Sequence, residues 1–60
     1  MKRYKIFENV NDAAPYWVGV LVVNSSGTPM FWQQISKNYV TYNGAKRWAL
    51  KHNIQIENGN

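Results

Sequence analysis

The sequence predicts a small α+β fold, a three-stranded antiparallel sheet packed on one C-terminal helix. Three observations lead there. Residues 16–23, YWVGVLVV, are dense in β-branched and aromatic side chains and too short for a typical helix. The turn-forming run NSSG follows at 24–27, with Gly27 suited to a left-handed position, and a second β-rich run starts at Met30. Ala45, Trp48 and Ala49 then recur at the i, i+3, i+4 spacing of one helical face.

The elements follow in order. Residues 3–7 alternate and contain β-favouring rings, which predicts a short first strand. Asn9, Asn11, Asp12 and Pro15 mark a loop. Residues 16–23 and 30–35 make the central hairpin. If residues 24–27 form the whole turn, Val23 faces Thr28 and the register is set from there. Residues 36–43 leave two readings open. Residues 39–42, YVTY, extend the sheet as a brief fourth strand, or Thr41 or Asn43 caps a helix running to about His52. Lys51 and His52 fall in the last turn, where positive charge suits the carbonyl end, and Asn53 is a reasonable stop. Ile54 and Ile56 add a last extended segment, and residues 57–60 are expected to fray. No repeat, linker or second domain interrupts this pattern, so residues 1–60 read as a single small domain.

Composition narrows the classes. Sixty residues lie near the lower size at which a chain folds without help. The absence of cysteine excludes disulfides and thiolate metal sites and fits a reducing compartment. Aromatic content is 15%, and large rings bury the most area per residue. Seven Lys and Arg oppose three acids, giving +4 and a pI near 9.7. That excess holds a polyanion by counterion release, or simply keeps a small protein soluble. The longest apolar run, 16–23, is too short to span a bilayer and is interrupted by Gly19. The opening MKRYKIFE starts basic but has no apolar core behind it, unlike a signal peptide. A cytoplasmic protein is expected.

The hairpin register sorts its side chains onto two faces. Tyr16, Val18, Val20 and Val22 share one with Pro29, Phe31, Gln33 and Ile35, and this face suits the helix, led by Trp48. Trp17, Gly19, Leu21 and Val23 share the other with Thr28, Met30, Trp32 and Gln34, and Gly19 is expected opposite Trp32. Trp17, Leu21, Met30 and Trp32 are too apolar for an ordinary solvated surface. The N-terminal strand and its loop fold over that face, or a second copy does, or a different partner does.

Catalytic signatures are missing. His52 is the only histidine and has no second ligand at helical spacing, so it reads as a helix-end residue. Glu8, Asp12 and Glu57 are scattered. Ser25, Ser26 and Ser36 have no base nearby in sequence, and Gly27 and Gly44 are isolated. The expectation is no enzyme, no cofactor and no metal. The basic residues do group. Lys2, Arg3 and Lys5 sit on or before the first strand. Lys37 precedes the helix, and Lys46, Arg47 and Lys51 lie on it.

Over residues 16–50 the strand–strand–helix order resembles the layout of the small three-stranded DNA-binding domains of some phage and transposon integrases and of plant AP2-type domains. The resemblance implies a DNA partner. Those domains carry arginine-rich strands, whereas residues 16–23 hold no charge. Two functions follow for a non-catalytic binding module. One is nucleic-acid binding through Lys37, Lys46, Arg47 and Lys51, a basic helix ridge beside an aromatic sheet. The other is a protein-interaction module, or an inhibitor of a host protein, acting through Trp17, Leu21, Met30 and Trp32. Small size and an Asn-rich, cysteine-free composition suit an accessory protein of a phage or mobile element. A homodimer is compatible with either, and no membrane partner is expected.

Overall fold

The computed structural model describes residues 2–57. Strands β1 (Tyr4–Glu8), β2 (Tyr16–Val23) and β3 (Pro29–Gln34) form one antiparallel sheet with β2 in the centre, and helix α1 (Tyr42–Lys51) follows. This is the expected α+β layout. The fraying expected of the C-terminus falls, for residues 58–60, outside the described residues.

The hairpin is tighter at its turn than a four-residue connection. Asn24 donates its N–H to the Thr28 carbonyl at 3.0 Å, and its Oδ1 accepts from the N–H groups of Ser26 and Thr28 at 2.9 Å. Gly27 takes the left-handed position at φ 83° and donates to the Asn24 carbonyl. Asn24, not Val23, therefore faces Thr28. A bulge then places Met30 between the pairs Val23↔Pro29 and Val22↔Phe31. Each departure moves the pairing by one residue, and together they move it by two. Side chains alternate with period two, so from Phe31 on both face assignments survive, while Pro29, shifted by one, lies opposite Val23 and changes face. The individual pairs do not. Gly19 lies opposite Gln34, and Trp32 lies opposite Leu21.

Even-numbered residues of β1 and β2, and Phe31 and Gln33 paired with them on β3, lie on the helix side of the sheet. Ile6, Val18 and Ala45 form the core, with Ala49 also fully buried, and Tyr16, Tyr39, Tyr42, Trp48 and Ile56 pack around it. Ala45, small and packed in that cluster, lets the helix approach Val18 closely. Trp48, expected to lead the core, sits on its rim and stacks on His52 with ring centroids 4.3 Å apart. The helix covers β1 and β2 and makes no such contact with β3.

The open reading of residues 36–43 resolves toward the cap. Thr41 is extended at φ −122° and ψ 153°, and its Oγ1 accepts from the Gly44 N–H at 3.0 Å. The fourth strand shrinks to one bridge, in which Tyr39 and Tyr16 exchange hydrogen bonds of 2.6 and 3.0 Å. Between them, Ser36 turns inward and its Oγ accepts from the Val18 N–H at 2.8 Å, replacing a strand carbonyl where β3 ends. Asn53 stops the helix in the left-handed region at φ 58°. Ile56 then bridges Tyr4 in parallel, and the Glu57 N–H donates to the Tyr4 carbonyl at 2.9 Å.

Two outcomes test this arrangement. Amide exchange should be slowest in β2, because a strand paired on both sides opens only with the whole domain. Slower exchange in β1 or β3 than in β2 contradicts it. Ala45→Leu should lower stability by about 1–3 kcal/mol through overpacking against Val18. An unchanged thermal midpoint shows that the helix does not approach so closely.

Candidate nucleic-acid interface

The residues expected to bind a partner divide between opposite sides of the sheet. Alternation along β2 sends Trp17, Gly19 and Leu21 away from the helix, and pairing brings Phe7 opposite Trp17, Lys5 opposite Gly19 and Trp32 opposite Leu21. The ring of Phe7 stacks on Trp17 at 4.6 Å and 22°, and meets Trp32 edge-on at 5.2 Å and 64°. These are the ring contacts on that face. The N-terminal strand joins the sheet as its edge and does not fold over it, and the loop after it closes on itself through Asn9 N–H to the Pro15 carbonyl.

Gly19 is the floor under these rings. A Cβ built on it would lie 2.8 Å from Cζ3 of Trp17 and 3.0 Å from Cε2 of Phe7, so a side chain here would displace both. Gly19 thus makes room for Trp17 and Phe7, where the sequence suggested it would make room for Trp32.

Cations flank Trp32. Lys5 Nζ is 5.4 Å from the ring centroid, and the Arg3 guanidinium carbon is 6.0 Å away. Arg3 is also held in a fork by Glu57, at 2.6 Å from Nε and 3.0 Å from the terminal nitrogen. That hydrogen-bonded pair holds the Glu57 carboxyl below the usual carboxylate range. Among the described residues, Arg3–Glu57 is the one ion pair, and the charge of Lys5 adds to that of Arg3 in holding the Glu57 carboxyl down. Beside Arg3, a shallow depression of about 340 Å³ opens between Lys2 and the free end of β2 at Val22 and Val23.

The other candidate cations lie across the sheet. Arg47 and Lys51 are exposed one turn apart on the outer side of α1, while Lys46 is half-buried on its flank instead of pointing freely outward. Lys37 lies in the loop, 5.4 Å from the Tyr39 ring. The helix ridge is therefore not beside the aromatic sheet face but separated from it by the sheet itself. Of the other expected contact residues, Trp17, Leu21 and Trp32 are half-buried by one another and by their neighbours, and Met30, at the bulge, is 61% exposed.

Sequence reasoning left Lys5 and Phe7 out of the site. The signal was present: residues 3, 5 and 7 share one parity, and antiparallel pairing with β2 puts that parity beside Trp17. On the helix face, the negative charge of Glu8 and partial burial push the Tyr16 hydroxyl up, and the phenol donates to Glu8 at 3.3 Å. Among the described residues, no three His, Asp or Glu side chains gather to hold a metal. No helix is long and apolar enough to cross a membrane.

Gly19→Ala should disturb the aromatic face more than the fold. Its near-UV circular dichroism should change sharply as Trp17 and Phe7 are displaced, with a stability loss of about 1–3 kcal/mol. A near-UV spectrum identical to wild type rules out the convergence of these rings over Gly19.

Comparison with known protein families, with curated proteins and with solved structures finds no match to this chain, so its function is argued from the geometry of this face.

Proposed function

We propose that this chain is a non-catalytic module that binds single-stranded nucleic acid across the sheet face opposite the helix. One observation carries the reading: Phe7, Trp17 and Trp32 share that face with Lys5 and Arg3, both cations lying near the Trp32 ring. Interleaved rings and cations are what a single strand requires, because bases stack on aromatic faces while phosphates follow positive charge. Lys5 is long and flexible, so a base can displace it from Trp32 while its charge moves to an adjoining phosphate, with Arg3 held in place beside the ring by Glu57.

The helix ridge takes a secondary part. Arg47 and Lys51 add sequence-independent attraction from the far side, and no ring accompanies them there. A double helix gains little from the aromatic face, since its bases are already stacked. A protein partner at Trp17, Leu21, Met30 and Trp32 is the second reading, and the exposure of Met30 favours it. It leaves the cations beside Trp32 without a role.

Quenching of tryptophan fluorescence by a short single-stranded oligonucleotide at low salt tests the proposal. Trp32→Ala should weaken binding by about 5- to 150-fold, the equivalent of one lost stacking contact. Lys5→Ala should reduce the log–log salt slope by about 0.7, one phosphate contact on a single strand. The double variant Arg47→Ala, Lys51→Ala should bind nearly as well as wild type. If that double variant abolishes binding while Trp32→Ala does not, the ridge is the site. If no oligonucleotide binds at low salt, the nucleic-acid reading falls.

A further inference from the structure

The two edges of the sheet are finished differently. Antiparallel pairing makes alternate residues of a strand bond to each neighbour. Leu21 donates to the Arg3 carbonyl, and Ile35 donates to the Val18 carbonyl, so odd residues of β2 bond to β1 and even ones to β3. The same alternation turns the N–H and C=O groups of Tyr4 outward on β1 and those of Trp32 and Gln34 outward on β3. On β1 the outward carbonyl of Tyr4 is taken by the Glu57 N–H, and Ile56 lies alongside. On β3 no described segment pairs with Trp32 or Gln34.

Edge strands are ordinarily protected by charge, by a covering element or by an inward lysine. β3 has none of these; Pro29 and the bulge at Met30 blunt only its first end, and Phe31–Gln34 is left regular and bare. Residues 13–36 contain no charged side chain, so the whole β2–β3 hairpin is neutral in a chain of net charge +4. The helix does not reach β3, and apolar side chains at this edge stand in solvent: Phe31 is 55% exposed and Ile35 is 37% exposed.

We propose that β3 pairs antiparallel with β3 of a second copy, about a two-fold axis at Gln33, to make one continuous six-stranded sheet. The register follows from the free groups. Pairing Trp32 with Gln34 of the second copy, and Gln34 with its Trp32, uses both outward N–H and both outward C=O groups of each strand. That register alone places Phe31 directly opposite Ile35 of the second copy, on the helix side, in the closer-spaced class of antiparallel pair. Two exposed apolar residues thereby cover each other without any further adjustment. Neutrality selects the partner: like copies meet at this edge with no like charges facing, while the positive charges stay on β1, α1 and the loops. An axis normal to the sheet keeps both aromatic faces on one side, so the Trp32 rings of the two copies join one longer surface. The pairing itself does not depend on what that surface binds.

Sedimentation equilibrium, over protein concentrations from about 10 μM to about 1 mM, tests it, because a short edge interface falls in the weak class. Wild type should shift reversibly from monomer to dimer across that range. Phe31→Lys should raise the dimer dissociation constant at least about tenfold, by facing two cations against apolar Ile35 side chains. The double variant Phe31→Lys, Ile35→Glu should regain dimerisation, since the proposed register sets the new charges opposite each other. Circular dichroism of dilute samples confirms that each variant keeps its fold, which the exposure of both positions permits. A wild type that stays monomeric throughout overturns the proposal and leaves the edge to a foreign strand. A Phe31→Lys variant that dimerises as wild type overturns it too, and loss without recovery in the double variant overturns the register.

Discussion

The close approach of α1 to Val18 is the contact on which the rest of this structure depends. Val18 is completely buried at the centre of the middle strand, and Ala45, packed with it, presents little bulk. A larger residue at position 45 would lift the helix and expose Ile6, which is buried in the same cluster. With so few residues completely buried, the domain relies on half-buried rings to complete its core. Tyr16, Tyr39, Tyr42 and Trp48 form that collar, each shielding apolar area while keeping a polar or aromatic edge near water.

Seating the helix on one face assigns the other face its character. β2 alternates valine toward the helix with tryptophan, glycine and leucine away from it, so the aromatic residues cannot join the core. They pack on one another instead, using the space above Gly19. The result is a second, smaller cluster that is structural and accessible at once. Its position also separates it from the cations of α1, which is why Lys5 and Arg3, carried by β1, are the charges that matter to it. The Arg3–Glu57 fork ties this same strand to the C-terminal segment, so the cation beside Trp32 and the closure of the β1 edge share one interaction.

The asymmetry of the two edges has a simple origin. The C-terminal segment leaves α1 near β1, because the helix lies across β1 and β2, and it can therefore reach Tyr4 but not Trp32. The edge that remains bare is the one made of the neutral hairpin. No described segment covers it, and the burial it lacks on that side is what a second copy can supply.

Periodicity made much of this legible in the sequence. The composition of β2, the turn at Gly27, the helix from Thr41 and the face shared by Ala45 and Ala49 are local properties, set by backbone preference and by spacing. The two sheet faces were legible as well, because beyond the bulge the expected pairing was two residues out and a shift of two keeps each side chain on its own face; Pro29, before the bulge, is one residue out and changes face. What the sequence could not determine is which residues meet. The bulge at Met30, the hydroxyl of Ser36 standing in for a strand carbonyl, and the bridge from Ile56 to Tyr4 join residues that no local rule connects. The separation of the helix cations from the aromatic face was decided in the same way. Both groups are visible along the chain, but whether they share a surface depends on which side of the sheet the helix takes, and only packing against Ile6 and Val18 decides that.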